Sequence, residues 1–268
     1  MKHRQPFKER LVAKEALIGF MQTQPSAVLV EMAVMCGFDF LFLDCEHGLF
    51  SDLDHLRALQ VLGTSNVAAL VRLRGHDLQA VGRFMDLGAD VIVVPNVTSA
   101  EQARMLVRAM HYPPAGTRGF AASAHRVTRY GMDAAAHLKD PRAGASLLVI
   151  IESAQGVAQV DQIVAVEGVD GVIIGPSDLS ADLGKLGDYS SPAYKEAVAH
   201  IERAVIARNK TLGTAPHGDS SIEVLIARGH RLFIVAADMP LIREAMSAQV
   251  AKARASLGQP EASGRGEG

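Results

Sequence analysis

Short, nearly unbroken apolar runs recur along the chain at Leu17–Phe20, Phe40–Asp44, Val67–Arg72, Val91–Pro95, Leu147–Glu152, Gly171–Gly175, Thr211–Ala215 and Leu232–Ala236. Most lack the polar alternation of a half-exposed strand, which predicts parallel strands buried on both faces. Between them, Ala27–Met35, Leu53–Leu62, Leu78–Leu87, Ala100–Met110, Ala193–Ala207 and Ser221–Ala227 carry apolar residues at three- and four-residue spacing, the period of an amphipathic helix. Ser51 and Ser99 stand where helix caps belong. Strands alternating with helices in this way predict a (β/α)8 TIM barrel, one domain over residues 1–257. An open doubly wound sheet is the competing arrangement. The glycine-rich phosphate turn that usually follows its first strand is absent here.

Two stretches fall outside the alternation. His111 to Gly144 is too long for a simple loop and is expected to act as a lid or a subunit contact. Residues 258–268, rich in Gly, Glu and Ser, predict a disordered tail.

Composition narrows the function classes. With 49% hydrophobic and 21% charged residues among 268, the chain has ample material for an aliphatic core. Lys plus Arg total 27 against 29 Asp plus Glu, a formal net charge of −2, so no basic field draws it to nucleic acid or to an anionic membrane. An anionic small substrate would need locally placed Arg or a metal. Cys36 and Cys45 read as reduced thiols, which suits the cytoplasm. No apolar run is long enough to span a membrane. Met1 to Arg10 is polar and basic, without the pattern of a signal peptide. Asn96-Val97-Thr98 matches a glycosylation acceptor and is read as coincidence.

Catalytic groups in such a barrel sit where strands end. One strand ends in Asp44-Cys45-Glu46-His47, another in Arg72, a third in Glu152-Ser153, and a fourth runs into Pro176-Ser177-Asp178. If the barrel closes, these share one rim. Glu152 and Asp178, with no Cys or paired His nearby, suit a hard divalent ion such as Mg2+ or Mn2+, with Co2+ as a further option. The bland alternative pairs Glu152 with a cation and makes Asp178 a helix cap. His47, flanked by Asp44 and Glu46, has the surroundings of a general base, although most histidines are structural or simply exposed. Arg72 ends a buried strand and needs an anionic partner; a substrate oxygen or an internal acid would serve. Every lysine lies in a helix, a loop, the amino terminus or, for Lys210, ahead of its strand, which disfavours a Schiff base.

Gly37-Phe38-Asp39-Phe40 through Asp44-x-Glu46-His47, Val71-Arg72, Asp86-Leu87-Gly88-Ala89, Tyr112-Pro113-Pro114-x-Gly116-x-Arg118-Gly119, Ile151-Glu152-Ser153 and Gly168-Val169-Asp170-Gly171 through Gly175-Pro176-Ser177-Asp178-Leu179-Ser180 resemble the HpcH/HpaI aldolases, over about Glu15 to Ala245. These are class II pyruvate aldolases. The resemblance implies that Glu152 and Asp178 bind the metal and that pyruvate chelates it through its carboxylate and keto oxygens. It further implies that backbone around Pro176, Ser177 and Asp178 holds the carboxylate, and that His47 moves the proton with Asp86 orienting it. Arg72 would stabilise enolate charge, with Asp44 in support. It also implies a hexamer, a trimer of dimers, in which a C-terminal helix, here Pro240–Leu257, swaps between subunits. Cys45 stands where many members have Gly, Ile150 where several have Gln, and Gly119-Phe120-Ala121 where some have Gly-Val-Gly, which leaves the partner aldehyde open. A metal-dependent 2-oxo acid decarboxylase or carbon–carbon bond-forming synthase would use the same residues. A catalytically silent barrel predicts loss of Glu152, Asp178, His47 or Arg72, and all four are present.

Overall fold

The computed structural model describes residues 5–139 and 145–259. In chain order the elements are α1 (Phe7–Val12), β1 (Leu17–Gln22), α2 (Ala27–Cys36), β2 (Phe40–Asp44), α3 (Asp52–Leu62), β3 (Ala68–Arg72), α4 (Leu78–Leu87), β4 (Val91–Val94) and α5 (Ala100–Met110). They continue with α6 (Ala134–His137), β5 (Ser146–Ile151), α7 (Ala154–Val164), β6 (Gly171–Ile174), α8 (Pro176–Asp182), α9 (Pro192–Ala207), β7 (Thr211–Thr214), α10 (Ile222–Ala227), β8 (Leu232–Ala237) and α11 (Asp238–Ser256). All neighbouring strands pair in parallel, and β8 returns to β1, so the sheet is a closed (β/α)8 barrel.

Side chains alternate across each strand, and the two faces fill two separate cores. Phe40, Phe42, Leu70, Val93, Leu148 and Ile150 pack inside the barrel. Their neighbours in sequence, among them Leu41, Leu43, Val71, Ile92 and Val149, pack against the helices. From β2 to β7 both faces are buried, which is why most of the strands read as continuous apolar runs.

The strands and most helices fall within two residues of their sequence-predicted bounds. Three regions differ. The start of the chain is more than a polar leader: α1 turns Phe7 and Leu11 into the barrel's base, with the Phe7 ring 6.0 Å from that of Phe40. Six residues with two apolar contacts are too short for a periodic signal. The helix α7, capped by Ser153, buries Val160, Ile163 and Val164. The described part of the connection after α5, residues 111–139, runs through turns and the single-turn α6. It packs against the last turn of α4, at the strand-start end of the barrel, where Arg118 meets Asp86 and Arg126 meets the Leu87 carbonyl. These residues lie away from the rim where strands end and form no lid over their own barrel. Residues 140–144 lie outside the described residues. Of the tail expected to be disordered, residues 260–268 lie outside the described residues. Among the described residues no helix is long and apolar enough to cross a membrane.

Candidate active site

The interior phase of three strands carries charged residues to the rim. Phe40 and Phe42 are followed two residues later by Asp44, Ala68 and Leu70 by Arg72, and Leu148 and Ile150 by Glu152. The alternation that fills the barrel with hydrocarbon therefore aims these three side chains into its mouth.

Asp44 and Arg72 are register partners on adjacent strands. The guanidinium is held in a fork: Nε donates to Asp44 Oδ1 at 2.8 Å and Nη2 to Oδ2 at 2.6 Å. Its Nη1 lies 3.0 Å from Glu46 Oε2. Burial works against the charge, but the hydrogen bonds to Asp44 and the charges of Asp44, Glu46 and Glu152 outweigh it and hold the guanidinium above its ordinary value. The internal acid is thus the anionic partner that Arg72 needed. A substrate can meet only the donors left over.

Glu152 is 6% exposed. The Asn96 backbone N–H donates to its Oε1 at 2.7 Å. Asn96 takes up a left-handed conformation to do so, φ 47°, and its side-chain oxygen accepts from the Ser153 hydroxyl at 3.0 Å. Burial, then the like charges of Glu46 and Asp178, push the Glu152 carboxyl up to about 7; the Asn96 N–H and Arg72 pull the other way. The Glu46 carboxyl is raised too, by burial first and by Asp44 and Asp178, against Arg72 and His47. Gly175 makes this approach of β5 and β6 possible. A Cβ there would overlap Glu152 Oε2 and lie 2.9 Å from Glu152 Cβ.

Asp178 lies exposed in the first turn of α8, after Gly175, Pro176 and Ser177, and its charge reaches both Glu152 and Glu46. Among the described residues no group of three or more His, Cys, Asp and Glu is arranged to hold a metal ion. The protein offers two carboxylates, Glu152 and Asp178, beside a third, Glu46. That all-oxygen donor set is of the kind a hard divalent ion takes, with water and substrate completing the shell.

His47 follows β2 in an irregular turn, its side chain 63% exposed and its Nε2 3.9 Å from Glu46 Oε2. Asp86 lies apart from these groups within the subunit. It sits in the last turn of α4, at the end of the barrel where strands begin, and pairs there with Arg118 and, at 3.2 Å, with His125 Nδ1. Within one subunit it does not orient His47, because α4 runs the height of the barrel away from the mouth. Gly119-Phe120-Ala121 belongs to the same distant region. Ile150 is buried inside the barrel beneath Glu152. Cys45 is buried, with its Sγ 3.1 Å from His55 Nε2, and burial pushes its thiol up to about 12, so it is no nucleophile at neutral pH.

Glu46, Asn96 and Gly175 join the site beyond the residues that the sequence points to. The position of Glu46, beside His47 at a strand end, was the signal that could have found it. Asn96 contributes a backbone N–H, which any residue but proline carries.

A sequence model described as HpcH/HpaI aldolase/citrate lyase matches residues 18–244. The chain is 37% identical over 261 residues to a hydroxypyruvate/pyruvate aldolase of Pseudomonas aeruginosa, covering 96% of each protein. It is 34% identical over 239 residues to the 5-keto-4-deoxy-D-glucarate aldolase of Escherichia coli strain K12, covering 89% of this chain and 93% of that one. Among solved structures, an HpcH/HpaI aldolase/citrate lyase family protein of Burkholderia cenocepacia J2315 superposes with a TM-score of 0.87 at 29% identity, covering 92% of this chain and 98% of that one.

Proposed function

The chain belongs to the HpcH/HpaI aldolase/citrate lyase family, and from that premise we propose that it is a divalent-metal-dependent aldolase. It reversibly cleaves a 4-hydroxy-2-oxo acid to pyruvate, or a pyruvate analogue such as hydroxypyruvate, and an aldehyde. The observation that supports this most is the Glu152 carboxyl. It is buried, crowded by two like charges and held by one backbone N–H, an arrangement that a divalent cation would relieve.

Glu152 and Asp178 would hold the ion, Mg2+ or Mn2+ with Co2+ as a further option, and the backbone at Pro176, Ser177 and Asp178 would hold the substrate carboxylate. Once bound, the ion supplies Lewis acidity to the keto group. Arg72 has five N–H groups, of which two donate to Asp44 and a third faces Glu46; the rest can meet oxyanion charge as C3 becomes nucleophilic. His47 accepts the proton of the 4-hydroxyl, through water, as the C3–C4 bond breaks, and a proton then returns to C3. Asp44 supports this by fixing Arg72 and by accepting from the backbone of Glu46 and His47. Asp86 could assist His47 only if a neighbouring subunit carried it to the mouth.

The wild-type protein with Mn2+ is expected to exchange the C3 hydrogens of pyruvate for deuterium, as followed by NMR. His47→Ala slows exchange by about 10^2-fold, within the usual range for a positioned base, and leaves Mn2+ affinity within about twofold. Exchange at an equal rate in chelator-treated protein, or in His47→Ala, removes the metal or the base from the reading.

Metal binding must displace the proton from Glu152. Its carboxyl is raised, so the acid form persists up to about pH 7. Mn2+ affinity is therefore expected to fall about tenfold for each pH unit below 7. Titrations at several pH values check this, and an affinity flat between pH 5.5 and 7.5 contradicts it.

A swapped C-terminal helix in a hexamer, a trimer of dimers, remains part of this proposal. Along α11 the apolar side chains Leu241, Ile242, Met246 and Val250 are exposed, and the second half of β8 is only partly covered. Apolar surface of this kind marks an interaction face. Light scattering that returned the mass of a single chain would overturn the assembly. A cytoplasmic location, with small-molecule partners and neither nucleic acid nor membrane, completes the reading.

A further inference from the structure

The Asp238 carboxylate, at the root of α11, is 1% exposed and accepts four hydrogen bonds. Oδ2 takes the backbone N–H groups of Thr23 at 2.9 Å and Gln24 at 2.7 Å. Oδ1 takes the Thr23 hydroxyl at 2.8 Å and the Met239 N–H at 2.9 Å. Burying a carboxylate is costly unless its oxygens are satisfied, and bonds to an ionised acceptor are the strong ones. Only one of the four donors belongs to α11, so helix capping does not account for this residue. The other three lie in the loop that follows β1.

That loop is in turn the floor of the segment that carries His47. The Thr23 carbonyl accepts from the Leu49 N–H at 3.0 Å. At Gly48 a Cβ would overlap the Asp44 carbonyl oxygen and sit 2.8 Å from the Thr23 carbonyl oxygen, so the backbone of the turn rests directly on Thr23. On its other side the segment hangs from Asp44, whose Oδ1 accepts the N–H groups of Glu46 at 3.0 Å and His47 at 3.4 Å. The Gln22 amide stiffens the same loop by donating to the carbonyls of Gln24 and Ser26, at 2.8 and 3.0 Å.

We propose that Asp238 is a positioning residue for His47, acting through Thr23 and Leu49. This rests on the assignment of proton transfer to His47 made above. The side chain of His47 is largely exposed, so its place at the mouth is set by the backbone that carries it, and that backbone is clasped between Asp44 and Thr23.

Asp238→Asn keeps the shape but turns an amide N–H toward donors that now lack an acceptor. Two readouts on the full-length Mn2+ protein test the link. The Leu49 amide, which needs no activity, is expected to exchange with solvent deuterium at least about tenfold faster. Exchange at C3 of saturating pyruvate is expected to slow at least about tenfold, a loss typical of small misplacement of a reacting group, while KM for pyruvate and Mn2+ affinity stay within about twofold. A purely structural residue would move all of these together. If Asp238→Asn fails to fold, Thr23→Val removes the hydroxyl donor alone and is expected to shift both readouts in the same directions by about threefold. Unchanged Leu49 protection overturns the proposal. So does an opened Leu49 with C3 exchange at the wild-type rate, or a loss of exchange matched by a loss of Mn2+ affinity. Wild-type protein that exchanges no C3 hydrogen counts against the function, and Leu49 protection then still decides whether Asp238 holds the loop.

Discussion

Glu152→Gln is expected to abolish aldol cleavage, by at least about 10^3-fold, while making the metal-free protein more stable at neutral and higher pH. The first effect follows from losing one of the two carboxylates proposed to hold the ion, and with it the several kcal/mol that a Lewis acid contributes to the barrier. The second follows from the raised carboxyl. A folded-state value of about 7 against an ordinary 4.5 means that the native state favours the acid form. Below pH 4.5 the group is protonated whether the chain is folded or not and contributes no pH dependence. As pH rises from 4.5 through 7, the unfolded chain ionises and the native one resists, so stability is lost. The full loss is on the order of 3 kcal/mol above pH 7, and an amide at the same position does not ionise. Asp178→Asn should share the loss of activity, with a smaller stability effect because its side chain is exposed. Activity assays with and without chelator, together with urea unfolding of metal-free protein at pH 5 and pH 8, test both halves. A Gln variant that remains active removes the metal site. One that is less stable than wild type at pH 8 removes the electrostatic account of Glu152.

Asp44→Ala is expected to destabilise the protein by about 3–5 kcal/mol, the cost of leaving a buried charge without its partner. Arg72 is 8% exposed and Asp44 fully buried, and their fork is the best-formed ion pair at the mouth. The substitution also releases the N–H groups of Glu46 and His47, so activity should fall further than stability alone explains. Arg72→Met on the Asp44→Ala background should restore part of the stability and none of the activity, because it removes the stranded charge. Urea unfolding of the single and double variants measures this. A cost below about 1 kcal/mol for Asp44→Ala would show that Glu46 alone satisfies Arg72.

Particular residues show what could be read along the chain. Phe40, Phe42 and Asp44 share one face by strand periodicity alone, as do Leu148, Ile150 and Glu152. In a closed barrel of such strands, the charged ends of those faces fall on one rim. The elements themselves are local features, with caps at Ser51, Ser99 and Asp77 and apolar spacing over ten residues or so. The short α1, with its two buried residues, had too little pattern to be seen.

Asp86 shows the limit. Its motif marked it as functional, yet its place in the last turn of α4 puts it at the far end of the barrel, with Arg118 and His125 as partners. Arg72 likewise declared a need for an anion without saying which, and closure of the sheet supplied Asp44 and Glu46. The clasp of Asp238 on Thr23 joins residues 215 positions apart.

By itself the sequence determined the eight strands, most of the helices between them, and the set of acids, histidine and arginine at strand ends, because period-two and period-3.6 patterns are properties of neighbouring residues. Tertiary structure alone decided which of those groups meet. It paired Arg72 with Asp44, crowded Glu152 against Glu46 and Asp178, gave Glu152 the Asn96 N–H, and kept Asp86 apart. Contacts between distant strands depend on closure and register, and the ionisation of Glu152 depends on the burial and charge that closure creates.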